Sequence, residues 1–220
     1  PRGHAFAQQI AISDDKFIPG LTGLVDAIHR HGAKAAIQLH HGGRMAKSKL
    51  MGMKPVAPSP IAAFGNEVPQ ELTIDEIKEI IRFFGAAALR AKRAGFDGVE
   101  IHGAHGYLIH QFLSRAANAR RDEYGGSMAN RTRFLLGVIE AVRGAVGADY
   151  PVWCRVTAKE YGIEDGTTLE EALETAKLAQ AAGIDAIHVS ASGPAAPNIL
   201  TSAAFVPGVI THLAEGIKKV

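Results

Sequence analysis

The stretch Gly98-Val99-Glu100-Ile101-His102-Gly103-Ala104-His105-Gly106-Tyr107 decides the fold. Its first four residues follow Gly95, which ends a long amphipathic segment, and they read as a short buried strand. From His102 onward the chain turns to glycine, two imidazoles and a phenol. The order is therefore helix, glycine break, strand, polar loop. The same order recurs on both sides.

Segment 73–94 is the helix before this strand. Thr73 with Glu76 forms a capping box, and Ile74, Ile77, Ile80, Ile81 and Phe84 share one apolar face. Upstream, residues 18–31 carry a helical period through Ile18, Leu21, Leu24, Val25 and Ile28, break at Gly32, and lead into the apolar run 35–39. Downstream, a helix from Ser127 through Phe134, Leu135, Val138, Ile139 and Val142 reaches Gly147 and precedes the strand 151–156. Thr168 and Glu171 cap a fourth helix that ends at Gly183 before the strand 186–190, and a last helix is expected after Pro207-Gly208.

Strands that alternate with helices and read as apolar on both faces predict an α/β protein with a parallel sheet covered by helices. No G-x-G-x-x-G follows a first strand, which weighs against a dinucleotide-binding open sheet. Polar residues gather just after strand ends, at 38–44, 102–107 and 155–161. Closed barrels build their sites on that face. A full (β/α)8 barrel takes about 250 residues, and only about half of its strand units are visible here. The expectation is one domain over residues 1–220, a partial (β/α)8 TIM barrel holding the middle strands and helices and incomplete at both ends.

Composition narrows the function classes. Hydrophobic residues make up 47% and charged residues 21%, as in an ordinary globular protein. A net charge of +2 with basic residues spread along the chain gives no footprint for nucleic acid or a membrane surface. Lys47, Lys49 and Lys54, the densest basic stretch, read as a solvated loop. Cys154 is the one cysteine, which excludes a disulfide framework and a cysteine metal cluster. It sits in a strand, and a lone thiol fits a reducing compartment, so a cytoplasmic protein is expected. No apolar run approaches the ~20 residues of a membrane span. The opening Pro1-Arg2-Gly3-His4 is no signal peptide and lacks methionine, so a piece of a longer protein is expected.

His102, His105 and Tyr107 leave one strand end together. A neutral imidazole can donate to a carbonyl oxygen as charge builds there, and a phenol can deliver a proton. The two histidines could instead be ligands of a metal-dependent hydrolase or lyase, but the sequence offers no third ligand; a non-catalytic barrel fragment is the other alternative. Gln38 and Arg155 lie on two other strands, and each needs a partner, because an unpaired buried polar group costs about 1–3 kcal/mol. A planar, electron-rich cofactor would serve both, and so would an ion pair between Arg155 and Glu100. His40 and His41, adjacent on an extended segment, face opposite sides. Arg120, Arg121, Asp122 and Tyr124 read as a loop pinned by ion pairs, Asp165-Gly166 as a turn, and Glu164 as solvated.

At these residues the chain resembles the old yellow enzyme family of NADH:flavin oxidoreductases. The similar stretches are residues 38–44 (Gln-Leu-His-His-Gly-Gly-Arg), Ala57-Pro58-Ser59, the block from Gly95 to Phe134, and Arg155-Val156 followed by the strand 186–191. The resemblance implies an FMN-binding (β/α)8 barrel of the ene-reductase type. It makes Gln38 a partner of the flavin's pyrimidine side and sets Arg155 near the ring edge that gains negative charge on reduction. It assigns the substrate's carbonyl oxygen to His102 and His105, and makes Tyr107 the proton donor. NAD(P)H would be the reductant, with hydride passing by way of FMN to the C=C bond of a small enone or enoyl compound. A homo-oligomer is left open. The family's first two and last two strands are missing from the match, including the late loops that hold the FMN phosphate, and Arg115 stands where many members have proline. The ending from Pro207 to Lys219 is similar to the 2,4-dienoyl-CoA-reductase-like and bile-acid enoate-reductase-like branch. In that branch an iron–sulfur cluster and a second nucleotide region follow the barrel, so those groups are expected only in a longer parent protein. Loop 45–72 and segment 192–207 are expected to shape the substrate pocket.

Overall fold

Each strand-helix unit begins with a local signal that the backbone obeys. In the computed structural model, which describes residues 2–63, 65–194 and 207–220, Thr73 Oγ1 accepts from Glu76 N at 3.2 Å while Glu76 Oε2 accepts from Thr73 N at 2.9 Å. This closes the first turn of a helix over Ile74–Arg93. Thr168 and Glu171 do the same for Leu169–Ala181. Gly95 and Gly183, at φ of +92° and +96°, carry the chain out of these helices through a conformation that side chains with a Cβ rarely adopt.

The regular elements run in chain order as follows. First come α1 (Ile18–His29), β1 (Ala36–Leu39), α2 (Ser48–Met51) and the two-residue strands β2 (Val56–Ala57) and β3 (Gln70–Glu71). Then come α3 (Ile74–Arg93), β4 (Gly98–Gly103), α4 (Leu108–Leu113), α5 (Met128–Val146), β5 (Val152–Glu160), α6 (Leu169–Ala181), β6 (Ala186–Ser192) and α7 (Thr211–Lys218). The main sheet is four-stranded and wholly parallel, in the order β1-β4-β5-β6. An aspartate ahead of a strand ties it to its neighbour. Asp97 accepts from Ala35 N at 2.8 Å, and Asp185 accepts from Val152 N at 2.7 Å. Strands in chain order with helical crossovers make this α/β sheet an arc of a TIM-barrel wall.

The two faces of the sheet differ, and here the sequence expectation of apolar strands on both faces is corrected. Val99, Ile101, Val152, Cys154 and Val156 point outward, are buried, and pack with Ile77, Ile80, Phe84, Phe134, Leu135, Val138 and Ile139 from α3 and α5. Burying each such side chain is worth about 1.5–3 kcal/mol. The other face carries Gln38, Glu100, His102, Trp153, Arg155, Thr157, His188 and Ser190. Side chains alternate along a strand, so every second residue of these runs faces inward. The inner face of the arc is polar. Segment 192–207, expected to shape a pocket, lies mostly outside the described residues.

Candidate active site

The C-terminal end of β4 passes directly into the site. His102 is the last inward residue of β4, and the chain then makes a left-handed turn at His105 (φ +59°) and Gly106 (φ +74°). Four contacts hold that turn. His105 N donates to Thr157 Oγ1 at 3.1 Å, and Gly106 N donates to His110 Nδ1 at 2.8 Å. Gln111 Nε2 donates to Gly106 O, and Leu108 N donates to His41 O at 3.0 Å. Gln111 also accepts from Arg44 N at 3.1 Å and crowds Gly43, where its amide leaves no room for a Cβ. Gln111 therefore fastens the loop after β1 to the loop after β4.

Tyr107 stands at the N-cap of α4 in this turn, and its ring joins a cluster of four with His40, His102 and His105. The His102 ring lies 5.0 Å from Tyr107, 5.1 Å from His105 and 5.5 Å from His40, centre to centre. The His40 ring meets Tyr107 edge-on at 4.2 Å. His40 was legible only as one of two opposed histidines. The alternation that separates it from His41 also points it at this cluster, while Gly43 N donates to His41 Nδ1 at 3.1 Å on the other side. Tyr107 lines a cavity of about 610 Å³ with Phe6 and with Met45, Lys47, Lys49 and Leu50 of loop 45–72.

The imidazoles are neutral. Burial lowers His102 to about 3, helped by the neighbouring His105, His40 and Arg155, and lowers His105 to about 4 and His40 to about 4. Ala104 N donates to His102 Nδ1 at 3.3 Å. A neutral imidazole with an accepting Nδ1 carries its proton on Nε2, leaving that N–H as a donor. His105 is less free, because its Nε2 is hydrogen-bonded to Ser190 Oγ at 2.7 Å. Burial raises the Tyr107 phenol above its ordinary value, so it keeps its proton. Among the described residues no group of three or more histidine, cysteine or acidic side chains could hold a metal ion.

Gln38 and Arg155 lie on the same inner face. Gln38 pairs in register with Glu100, and His102 with Arg155. The expected alternative of an Arg155–Glu100 ion pair does not form. Glu100 instead accepts from Gln38 Nε2 at 2.6 Å, Trp153 Nε1 at 2.9 Å and His188 Nδ1 at 2.7 Å. Among the described residues Arg155 reaches only Ser190 Oγ, at 3.4 Å through Nη2, and its buried Nε has no partner. Glu100, His188 and Ser190 were not singled out from sequence as site residues. The available signal was polar residues at every second position of strands otherwise apolar.

Fold and site together define a class: a parallel α/β barrel wall with a polar inner face and a neutral imidazole–phenol cluster at the strand C-termini. The sequence profile of the NADH:flavin oxidoreductase / NADH oxidase family matches residues 1–197. The chain belongs to that family. It is 47% identical to an NADH oxidase of Thermoanaerobacter brockii over 100% of this chain and 34% of the relative. Among solved structures it is similar to a 2-naphthoyl-CoA reductase complex (TM-score 0.93, 34% identity, 99% of this chain and 35% of that one). It is also similar to morphinone reductase (TM-score 0.84, 31% identity, 99% and 62%). The chain thus spans about a third of the length of the NADH oxidase it matches.

Proposed function

We propose that this chain forms the central part of an NAD(P)H-dependent FMN oxidoreductase of the ene-reductase type, acting on the C=C bond of an α,β-unsaturated carbonyl compound. The observation that carries the reading is the buried Nε of Arg155, unpartnered among the described residues, on the polar inner face in register with His102. A planar group with hydrogen-bonding edges fits that face. Arg155 would meet its electron-rich edge, and Gln38, with its amide nitrogen committed to Glu100, would offer a carbonyl oxygen to an N–H of the ring. FMN, when bound, supplies the hydride chemistry that no side chain here can perform.

The chain's own groups do the rest. His102 donates its Nε2–H to the acceptor's carbonyl oxygen, with His105 beside it. The hydrogen bond strengthens as negative charge grows on that oxygen, so the transition state is favoured over the bound substrate. Tyr107 gives its proton to the α-carbon. The reading is supported by the printed names of the similar proteins, an NADH oxidase and two reductases, one caught with a naphthoyl-CoA. A single buried thiol fits a reducing, cytoplasmic setting. An iron–sulfur cluster or a second nucleotide would belong to a longer parent, as would the strands that close the barrel.

The test is a visible spectrum of the intact protein before and after anaerobic NAD(P)H, followed by an enone. Flavin bands that bleach and return are expected. A colourless protein that takes up no added FMN overturns the reading.

A further inference from the structure

Glu100 stands one inward row below the imidazole–phenol cluster and among the described residues hydrogen-bonds to none of its rings, yet three N–H donors from three strands converge on it. Gln38 Nε2 on β1 reaches Oε1 at 2.6 Å, while Trp153 Nε1 on β5 and His188 Nδ1 on β6 share Oε2 at 2.9 and 2.7 Å. It is only 8% exposed on a face where Gln38 and His188 themselves are exposed. The indole that holds it lies across Gly98, where a Cβ would come within 2.8 Å of the ring. Glycine there lets the indole reach the carboxylate.

This geometry has a consequence for Gln38. A primary amide can present either its carbonyl or its NH₂, and the two orientations have nearly the same shape. A carboxylate is an acceptor only, so at 2.6 Å it tolerates just one of them: NH₂ toward Glu100, carbonyl oxygen free. With its other oxygen occupied by Trp153 and His188, Glu100 cannot turn away.

We propose that Glu100 is a positioning residue for the cofactor site, fixing the amide of Gln38 so that it presents an acceptor to a ring N–H. The proposal rests on the flavin reading above. Glu100 also places a negative charge beneath the face that gains electrons, opposing the Arg155 cation. Replacing it by glutamine leaves three N–H donors facing a group with a single acceptor oxygen. The Gln38 amide is then free to invert.

The experiment uses the intact parent protein, measuring the FMN dissociation constant and the midpoint potential of the bound flavin in wild type, Glu100→Gln and Glu100→Asp. In Glu100→Gln the dissociation constant is expected to rise about tenfold. The potential is expected to move upward by about 30 mV, which for a two-electron couple is a tenfold change in relative hold on reduced and oxidised flavin. Glu100→Asp keeps the charge and is expected to return most of the shift. In a Gln38→Met background, Glu100→Gln should no longer weaken FMN binding, because the amide it controls is gone. A Glu100→Gln protein with wild-type affinity and potential overturns the role of Glu100 alone. So does one that loses thermal stability while its bound flavin keeps the wild-type potential, since that assigns Glu100 to folding. A wild-type protein that takes up no FMN overturns this proposal together with the flavin reading.

Discussion

Tyr107 and His102 divide two tasks by their surroundings. The His102 Nδ1 is occupied by the Ala104 amide, and its charged form is suppressed to about 3, so it can only donate, through Nε2. Tyr107, raised by burial, holds its proton, as the proposed donor must. Replacing Tyr107 by phenylalanine keeps the ring contacts with His40 and His102 and removes only the hydroxyl group with its proton. Alkene reduction should then fall by about 10²–10⁴-fold, the usual worth of a general acid, while reduction of the enzyme by NAD(P)H survives. Stopped-flow measurement of both half-reactions checks this, and equal losses in the two would remove Tyr107 from the donor role. All three residues of the cluster named from sequence do meet. His40 was missed as a member because strand alternation tells which residues share a side but not which side faces the site.

Among the elements, α3 and α5 pack so closely that each gives up a side chain. A Cβ on Gly85 of α3 would lie 2.8 Å from the Ala141 carbonyl oxygen of α5, and a Cβ on Gly137 of α5 would lie 2.9 Å from the Ile81 Cδ1 of α3. The obstacles differ: the first is backbone, the second the tip of a flexible side chain. Gly85→Ala should therefore lose about 1–3 kcal/mol by overpacking. Gly137→Ala should be near neutral, since the helix gains about 0.8–1 kcal/mol from losing a glycine while Ile81 shifts. Urea denaturation of the two variants decides it, and equal losses would refute the distinction. The helices themselves were legible because capping boxes and terminal glycines are local signals: Thr73 with Glu76 and Gly95 bound α3 within a residue. The strands ran longer than their apolar cores, β5 reaching Glu160 and β6 reaching Ser192. Pairing continues through polar residues once the neighbouring strand is in place. The short helix α4 carries no periodic signal over its six residues and was not foreseen. The loop around Arg120 was foreseen: its guanidinium pairs with Asp122 at 2.6 Å and also donates to the Pro58 and Leu72 carbonyls.

The molecule as a whole keeps several histidines neutral, and this links stability to pH. Burial holds His41 and His102 to about 3, against 6.5 for a free imidazole. Below 6.5 the unfolded chain takes up protons that the folded chain refuses, so unfolding gains as pH falls from 6.5 toward 3. Glu160 pulls the same way. Burial would raise it, but His110, Ser114 and Thr167 outweigh that and hold it low, so its contribution is lost as pH drops through its folded value. Each buried histidine should cost up to about 1.4 kcal/mol per pH unit inside that window. Thermal denaturation at pH 7 and pH 4.5 should show a clear fall in Tm. An unchanged Tm would mean that these imidazoles are solvated.

The sequence by itself determined the alternation of helix and strand, the parallel α/β barrel class, the family, and the strand end that carries His102, His105 and Tyr107. The alternation, the barrel class and that strand end follow from periodicity, capping and glycine breaks, which act within a few residues of one another, while the family follows from the resemblance of the motifs at 38–44 and 95–134. Only the tertiary structure decided that the sheet has a polar inner face, that Glu100 serves Gln38 and His188 and not Arg155, and that Gln111 ties two loops of the site together. Each of these depends on which residues of separate strands share a register row and a face, and an ionic or hydrogen-bonding partner is set by that distance and not by spacing along the chain.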